Sequence, residues 1–200
     1  RARQEAVARA AGAMAIVGPN CMGYTNFENG VALTFELIAP RPARGQPGVG
    51  IVAQSGFMAT LRDAFIGRGL TITTQFSTGN EASVSVEDVI AAYLDDAQTR
   101  VIAVYAEQLR RLALFLQLAS RARRIGKPIV MLMPGRSERA RHAAASHTGA
   151  LAGDHATACA LLEREAVVQV DTLDELFDTT AVLLRHPQPP RGGTAFVTGS

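Results

Sequence analysis

The sequence lacks the long apolar runs and the cysteine patterns that mark membrane-spanning and disulfide-bonded proteins. No apolar run approaches the ~20 residues of a transmembrane helix, and the N-terminal residues carry no apolar stretch typical of a signal peptide. The two cysteines, Cys21 and Cys159, lie far apart and match no metal-ligand or redox spacing. This pattern is typical of a reducing compartment, so we expect a cytoplasmic protein that does not bind membranes.

The sequence also lacks the charge excess and the motifs of nucleic-acid-binding proteins. Its formal net charge is +2, and nearly all its positive charge is arginine, because Lys127 is the only lysine. Such a balance gives no general affinity for nucleic acid. There is no Walker lysine motif, no pattern of base-stacking aromatics and no cluster with the spacing of a protein-built metal site. We therefore expect no nucleic-acid partner and no metal bound by this chain.

The chain does contain a regular alternation of apolar and amphipathic segments from Gly48 onwards. The segments that predict strands are Gly48–Ala53, Leu70–Phe76, Val101–Tyr105, Pro128–Leu132 and Val167–Val170. The first predicted helix follows Gly48–Ala53 and ends at about Arg68. The other segments that predict helices are Val86–Asp95, Arg110–Ile125, Gly149–Glu165 and Thr172–Leu184. Such alternation predicts a flavodoxin-like, doubly wound α/β domain with a parallel sheet covered on both faces. Ligands of such folds bind at the carboxyl ends of the strands.

The residues before Gly48 do not follow this alternation. Residues 1–13 predict an alanine-rich surface helix. Ala15–Val17 predicts a short strand that leads into Gly-Pro-Asn-Cys-Met-Gly. Between Glu36 and Gly48 three prolines stand among basic and small residues, which predicts a linker or a domain boundary.

A histidine between two hydroxyl residues is the first candidate for chemistry. His147 lies in the segment Ala145–Gly153, at the end of a polar loop and directly before a predicted helix. Free N–H groups and the dipole at a helix N-terminus bind anions, and an imidazole beside bound phosphate can attack it as a nucleophile. From spacing alone, an exposed histidine beside a helix cap formed by Ser146 or Thr148 is an equally good interpretation.

The Gln-Ser-Gly turn at residues 54–56 joins a predicted buried strand to a predicted helix. Its N–H groups could hold a second part of the same anion, although such joints often contain Ser-Gly for local reasons. A serine hydrolase that uses Ser55 with His147 is an alternative. The Gly-x-Ser-x-Gly of a nucleophile elbow is absent, however, because alanine and phenylalanine flank the turn.

Two further polar groups are expected at the same edge of the sheet. Gly79-Asn80 follows the second predicted strand and suits a positive φ, so by sequence alone it is a turn rather than a site. Glu107 lies just past the predicted strand Val101–Tyr105. A carboxylate there can accept the ring N–H of a histidine, which raises the nucleophilicity of the opposite nitrogen. From its position alone, a solvated residue at a helix start is the preferred interpretation of Glu107.

Taken in order, these segments resemble the acyl-CoA synthetase (NDP-forming) family, which includes ADP-forming acetyl-CoA synthetases and is related to the succinyl-CoA synthetase alpha subunit. The matching pieces are Gly18-Pro19-Asn20-Cys21-Met22-Gly23, Gln54-Ser55-Gly56, Gly79-Asn80-Glu81, Tyr105-Ala106-Glu107, Ser146-His147-Thr148-Gly149-Ala150-Leu151-Ala152-Gly153 and Asp171-Thr172-Leu173-Asp174-Glu175-Leu176-Phe177. One such motif would be weak evidence. Together, in family order across nearly the whole chain, they make the resemblance strong.

The resemblance implies an activity and a role for individual residues. Family members interconvert acyl-CoA, phosphate and ADP with a carboxylic acid, CoA and ATP, through an acyl phosphate and a phosphohistidine. His147 matches the histidine that takes the phosphoryl group, and Glu107 matches the glutamate that holds it. The positions that match the phosphate cradle are Gln54, Ser55, Gly56, Ser146, Thr148 and Gly149, and those on the CoA side are Asn20, Cys21, Gly79 and Asn80.

The same resemblance implies cofactors, partners and domains. The cofactors are CoA, phosphate and ADP or ATP with Mg²⁺, and the nucleotide is bound by an ATP-grasp domain or subunit absent from this chain. Residues 1–40 would be the C-terminal end of a Rossmann-like CoA-binding domain with its linker, residues 41–187 the succinyl-CoA synthetase-like flavodoxin domain, and residues 188–200 the start of a further α/β domain. We expect a piece of a longer enzyme, inactive alone, whose full-length form is a homo-oligomer that acts on a small carboxylic acid.

Two segments depart from the usual family pattern. Ala53 stands where the family has serine, and Met133-Pro134-Gly135-Arg136 replaces Lys-Ala-Gly-Arg. The Pro-Gly-Arg version resembles large fused synthetases, some of them similar to enzymes for aromatic acids.

A non-catalytic CoA- or acyl-CoA-binding regulatory module is the alternative function. It would keep the fold without needing His147 and Glu107 together.

Overall fold

The computed structural model describes residues 2–36, 45–56, 58–134, 155–188, 192–193 and 197, and a seven-stranded sheet runs through them. Its strands are β1 (Tyr24–Asn26), β2 (Val31–Leu33), β3 (Gly48–Ala53), β4 (Ile72–Ser77), β5 (Thr99–Tyr105), β6 (Ile129–Leu132) and β7 (Val168–Val170). The order is β2-β1-β4-β3-β5-β6-β7. The strands from β4 to β7 in this order are parallel, whereas β1 pairs antiparallel with both β2 and β4.

Helices cover both faces of the sheet. They are α1 (Ala2–Ala11), α2 (Met58–Gly67), α3 (Val86–Asp95), α4 (Leu112–Ile125), α5 (His155–Arg164) and α6 (Leu173–Arg185). On one face α3, α4 and α5 bury Ile90, Phe115 and Leu162 in a common core. On the other face α2 and α6 meet through Phe65 and Phe177, whose rings pack edge to face at 5.0 Å. This arrangement confirms the predicted flavodoxin-like, doubly wound α/β fold.

The chain reverses its direction of travel across the sheet at β3. It passes from β3 through α2 to β4, and then through α3 on the opposite face to β5, on the other side of β3. In open α/β sheets, ligands bind at the carboxyl ends of the strands where such a reversal occurs. The ends of β3 and β5 are therefore the place to look for a site.

Most predicted elements are confirmed, with small shifts at their ends, and β3 and α3 have the predicted bounds. The first residues of the helix predicted at Gly149–Glu165 lie outside the described residues, and α5 agrees with the rest of the prediction. The strand predicted at Ala15–Val17 is wrong. The N–H of Ile16 donates to the side-chain oxygen of Ser83 (2.7 Å) and its carbonyl accepts the N–H of Val84 (3.1 Å), so the segment pairs at one residue without forming a ladder.

The β1–β2 hairpin is absent from the sequence predictions. Its first strand packs on β4, where the rings of Tyr24 and Phe76 stack with centroids 5.5 Å apart. Its turn is closed by the N–H of Asn29, which donates to Asn26 Oδ1 (3.0 Å), and by Gly30 at φ +67°. Strands of three residues are too short for an alternating pattern to predict them, and Asn29-Gly30 was the local signal for this turn.

The only lysine is a buried structural group at the C-terminal end of α3. Lys127 Nζ donates to the carbonyl oxygens of Tyr93 (2.7 Å), Leu94 (3.1 Å) and Asp96 (2.6 Å). Burial lowers the pKa of the ammonium, although the carboxylate of Asp96 acts in the opposite direction. The ammonium thus satisfies carbonyls that the end of a helix leaves without partners.

Candidate active site

The carboxyl ends of four strands lie side by side. Ala53 of β3 pairs with Ser77 of β4 and with Tyr105 of β5. The loops that follow these strands therefore begin next to one another. The end of β6 joins them, because the N–H of Ala106 donates to the carbonyl of Leu132 (3.2 Å).

The side chain of Gln54 ties two of these loops together. Its Oε1 accepts the backbone N–H groups of Glu107 (2.7 Å) and Gln108 (3.1 Å). Its Nε2 donates to the carbonyl of Gln108 (2.7 Å) and to Glu81 Oε1 (3.0 Å). The backbone N–H of Gln54 donates to the carbonyl of Tyr105 (3.0 Å). A direct bond from Gln54 to phosphate would therefore require the exchange of one of these contacts, and its assignment to the phosphate cradle stays a prediction.

Glu81 is a buried carboxylate at the centre of this network. Its side chain is 1% exposed. Oε1 accepts Thr78 Oγ1 (3.0 Å) and the N–H of Val86 (2.9 Å) in addition to Gln54. Oε2 accepts Arg110 Nε (3.0 Å). Glu81 was not among the predicted site residues, although it ends the Gly-Asn-Glu motif, and its φ of +54° is rare for a non-glycine residue.

The predicted catalytic carboxylate, Glu107, lies half-buried just past β5. Its backbone is held by Gln54. Within the described part of the chain, no hydrogen bond or ion pair engages its carboxylate. Together with burial, this negative charge raises the pKa of the Tyr105 hydroxyl. The carboxylate is thus positioned by its backbone, with its oxygens available to a further group.

Ser55 and Gly56 follow β3 directly, and α2 begins shortly after them, at Met58. The carbonyl of Ser55 accepts the hydroxyl of Ser77 (3.4 Å). Gly56 is exposed, and a Cβ added there would lie 3.5 Å from Met22 Cγ. The turn therefore leads from the end of the strand into a helix N-terminus, where free N–H groups favour an anion.

The structure brings the predicted CoA-side residues together. The N–H of Asn80 donates to the carbonyl of Pro19 (2.8 Å), and Asn20 Nδ2 lies 3.5 Å from Asn80 Oδ1. Gly79 has φ +56°, and a Cβ there would lie 2.4 Å from the Pro19 oxygen, so only glycine fits. Cys21 follows in the same segment and is half-buried. Their proximity is a property of the fold, and their role toward CoA stays a prediction.

The predicted nucleophile lies outside the described residues, as do its neighbours Ser146, Thr148 and Gly149. His147 belongs to the segment between residues 134 and 155. The described chain enters this segment from β6, beside Ala106, and leaves it into α5. The structure therefore reports the position of Glu107 but not that of the histidine.

The described residues lack two further features. No helix among them has the length and apolar character needed to cross a membrane. Nowhere in the ranges given above do three or more histidine, cysteine or acidic side chains form a group able to hold a metal ion.

Comparisons with known proteins agree with the motifs and with the fold. A family model described as "Succinyl-CoA ligase like flavodoxin domain" matches residues 46–183. A trans-feruloyl-CoA synthase from an unknown prokaryotic organism is 49% identical over 174 residues, which are 86% of this chain and 25% of that protein. The ADP-forming 4-hydroxybutyrate–CoA ligase of Nitrosopumilus maritimus is 32% identical over 94% of this chain and 27% of its own length.

A solved structure shows the same architecture. The dinucleotide forming acetyl-coenzyme A synthetase 1 of Ca. Korarchaeum cryptofilum, in complex with phosphate and ADP, matches with a TM-score of 0.80 and 28% identity. The match covers 90% of this chain and 39% of that one. The chain spans about a quarter of the length of the two curated relatives. These matches confirm the resemblance drawn from the motifs, and the chain belongs to the succinyl-CoA ligase like flavodoxin domain family.

Proposed function

We propose that this chain is part of an NDP-forming acyl-CoA synthetase and carries its phosphohistidine at His147. The enzyme would interconvert acyl-CoA, phosphate and ADP with a carboxylic acid, CoA and ATP. The observation that carries the proposal is the half-buried carboxylate of Glu107, held by its backbone beside the turn at residues 54–56. That arrangement stands where the strand order reverses, in a chain whose relatives include ADP-forming CoA ligases.

The residues of this chain divide the work as follows. In the direction of ATP synthesis, a phosphate oxygen attacks the thioester carbonyl, and acyl phosphate and the CoA thiol result. His147 then attacks phosphorus, the carboxylic acid leaves as its carboxylate, and the phosphoryl group passes from the histidine to ADP. Glu107 accepts the second ring N–H of the imidazole and stabilises its positive charge.

Phosphate would be held by backbone groups more than by cationic side chains. The turn at Ser55 and Gly56 leads into the N-terminus of α2, and Ser146, Thr148 and Gly149 precede α5 in the sequence. Two helix N-termini that face one anion neutralise its charge through N–H groups and dipoles. The exposed, side-chain-free Gly56 leaves room for that approach.

The remaining groups come from outside this chain. We propose that an ATP-grasp domain or subunit binds ADP or ATP with Mg²⁺, and that CoA meets the edge formed by Asn20, Cys21, Gly79 and Asn80. Residues 1–40 would complete a CoA-binding Rossmann-like domain, residues 41–187 form the flavodoxin domain, and residues 188–200 begin another. A cytoplasmic homo-oligomer is the form that we propose for the whole enzyme.

The acid is proposed from similarity. The relative with 49% identity is a trans-feruloyl-CoA synthase, whereas the 4-hydroxybutyrate ligase is 32% identical. The Met-Pro-Gly-Arg sequence that begins at residue 133 points the same way, since it resembles synthetases for aromatic acids. Aromatic acids such as ferulic acid are therefore the first compounds for a substrate screen, with acetate and 4-hydroxybutyrate as comparisons.

The test is phosphorylation of the full-length protein that contains this chain, together with its nucleotide-binding domain or subunit. With Mg²⁺ and γ-labelled ATP, we expect an acid-labile, base-stable phosphoprotein that disappears in His147→Ala. His142→Ala, a change of another histidine five positions earlier, serves as the matched control and should keep the label. Label that survives in His147→Ala would sink the proposal, and a wild type that never takes label would favour a CoA-binding regulatory module.

A further inference from the structure

We infer that Glu81 is a positioning residue for Glu107 and acts through the side chain of Gln54. The inference rests on the proposed function, because it concerns the carboxylate that would hold the histidine. The family motifs assign no such role to Glu81. The support comes from the hydrogen bonds that join the loops after β3, β4 and β5.

Glu81 and the carbonyl of Gln108, which accepts Gln54 Nε2 at 2.7 Å, both orient the amide of Gln54. A carboxylate only accepts hydrogen bonds, so it draws Gln54 Nε2 toward itself (3.0 Å) and turns Gln54 Oε1 away. That oxygen then accepts the N–H groups of Glu107 and Gln108. If the amide were reversed, its NH₂ group would face two backbone donors and its oxygen would face the carboxylate. The carboxylate of Glu81 therefore reinforces the orientation of the amide that fixes the backbone of Glu107.

Glu81 also holds the same loop at a second point. Its other oxygen accepts Arg110 Nε (3.0 Å), and the guanidinium of Arg110 donates again to the carbonyl of Asn80 (2.9 Å). The loop that carries Glu107 is thus bound to Glu81 through Gln54 near its start and through Arg110 near its end. Two separated tethers fix the direction of a short loop better than one can.

A second buried carboxylate provides the contrast. The side chain of Glu87 is also 1% exposed, and it belongs to the first turn of α3, shortly after Glu81 in the sequence. It accepts the N–H of Arg111 (2.9 Å) and the hydroxyl of Ser85, and it makes no contact with Gln54 among the hydrogen bonds of the described residues. Glu87 therefore supports the start of α4, whereas Glu81 reaches the backbone of Glu107.

Misplacement of Glu107 has a signature in pH. A carboxylate near an imidazole favours the imidazolium and raises the pKa of the histidine. Attack on phosphorus needs the neutral imidazole. When the carboxylate moves away, the histidine pKa falls, and the acidic limb of the phosphorylation rate moves to lower pH. A variant that only loosens the fold would not move that limb.

The experiment measures single-turnover phosphorylation of the full-length protein by Mg²⁺-ATP between about pH 5 and about pH 8. The variants are Glu81→Gln, Glu107→Gln and, as the matched control, Glu87→Gln. Because a misplaced catalytic group costs on the order of 100-fold in rate, we expect Glu81→Gln to slow labelling by roughly 10- to 100-fold. Its acidic limb should move to lower pH in the same direction as that of Glu107→Gln. Glu87→Gln should lower the melting temperature and leave the limb in place.

Other outcomes would overturn the inference. Equal rates in Glu81→Gln and Glu87→Gln, or a slower rate with an unmoved limb, would assign Glu81 a structural role only. If Glu81→Gln does not fold, Gln54→Met removes the linking amide and keeps the pair of Glu81 with Arg110, and it must show the same two effects. A wild type that takes no label on His147 would overturn the proposed function itself, and label without these differences overturns only the inference.

Discussion

The two ends of α3 hold buried charges of opposite sign. At the N-terminal end, the carboxylate of Glu81 accepts the first helical N–H, that of Val86. At the C-terminal end, the ammonium of Lys127 donates to three carbonyls. Each charge complements the helix dipole and satisfies backbone groups that lack partners within the helix.

The difference between the ends lies in where each charge leads. The carboxylate of Glu81 also accepts hydrogen bonds from Gln54 and Arg110, which belong to the loops at the carboxyl edge of the sheet. The bonds of Lys127 Nζ all end on the backbone at the close of α3. The same way of ending a helix therefore serves the candidate site at one end and stability alone at the other. Three substitutions test this contrast.

Loss of the Lys127 ammonium should give the largest change in stability. Lys127→Met leaves three carbonyls without their donor, so we expect the free energy of unfolding to fall by about 2–4 kcal/mol. Arg124→Met, which removes an exposed cation from the nearby end of α4, should change it by less than about 0.5 kcal/mol. Urea unfolding measures both. Since the hydrogen bonds of Lys127 do not reach the candidate site within the described residues, the folded variant should take label on His147 at the wild-type rate. A slower rate would contradict the contrast.

Gly79→Ala should have the next largest effect, at the other end. The new Cβ would lie 2.4 Å and 2.5 Å from the carbonyl oxygens of Pro19 and Asn20, at a φ of +56°. We expect a loss of roughly 1–3 kcal/mol of stability and weaker CoA binding, because residues 18–20 must move away. Gly67→Ala, at a position with open space around it, is the control. Calorimetric titration with CoA decides, and unchanged affinity in Gly79→Ala would argue against a CoA-side role.

The smallest effect concerns acid sensitivity. Burial raises the pKa of Asp88 in the first turn of α3, but hydrogen bonds from Arg111 and Ser85 outweigh it and place the pKa below its ordinary value. Its stabilising contribution is present above about pH 4 and is lost as pH falls through the lowered pKa. Asp88→Asn should therefore lose less stability than wild type between pH 7 and pH 3, measured as the shift in urea midpoint.

Asp95, in the last turn, is the matched position for this test. A hydrogen bond from Arg121 lowers the pKa of Asp95 too, but its negative charge stands at the end of α3 where the dipole disfavours it. Asp95→Asn should flatten the acid dependence less than Asp88→Asn does. An equal effect at both ends would remove the dipole from the explanation.

The fold was largely predictable, because it depends on the regular alternation of apolar strand segments and amphipathic helix segments along the chain. β3 and α3 have their predicted bounds, and Thr172, where the last predicted helix begins, caps α6 by accepting the N–H of Glu175 (3.2 Å), as in a capping box. The reciprocal bond differs, since the Glu175 carboxylate accepts the N–H of Asp171 rather than that of Thr172. The segment predicted as a strand at residues 15–17 instead bonds to Ser83 and Val84, which are far along the chain, and local patterns do not contain such information.

The candidate site was predictable in its positions but not in its connections. Because Gln54, Asn80 and Glu107 each follow a predicted strand, the sequence predicted them at one edge of the sheet. The structure has them at that edge. The side chain of Glu81 bonds to Gln54 and to Arg110, which are far apart in the sequence, and no spacing rule predicts such contacts. The parts assigned to His147 and to its neighbours stay predictions.

The burial of Lys127 also makes this chain a chemical reporter of its own unfolding. Amine-directed reagents attack an accessible, uncharged amine, and the only lysine side chain here is held against three carbonyls with little exposure. Lys127 should therefore be acylated only after the C-terminal end of α3 has separated from the start of β6. Mass spectrometry of the peptide that contains Lys127 would then time the opening of this domain.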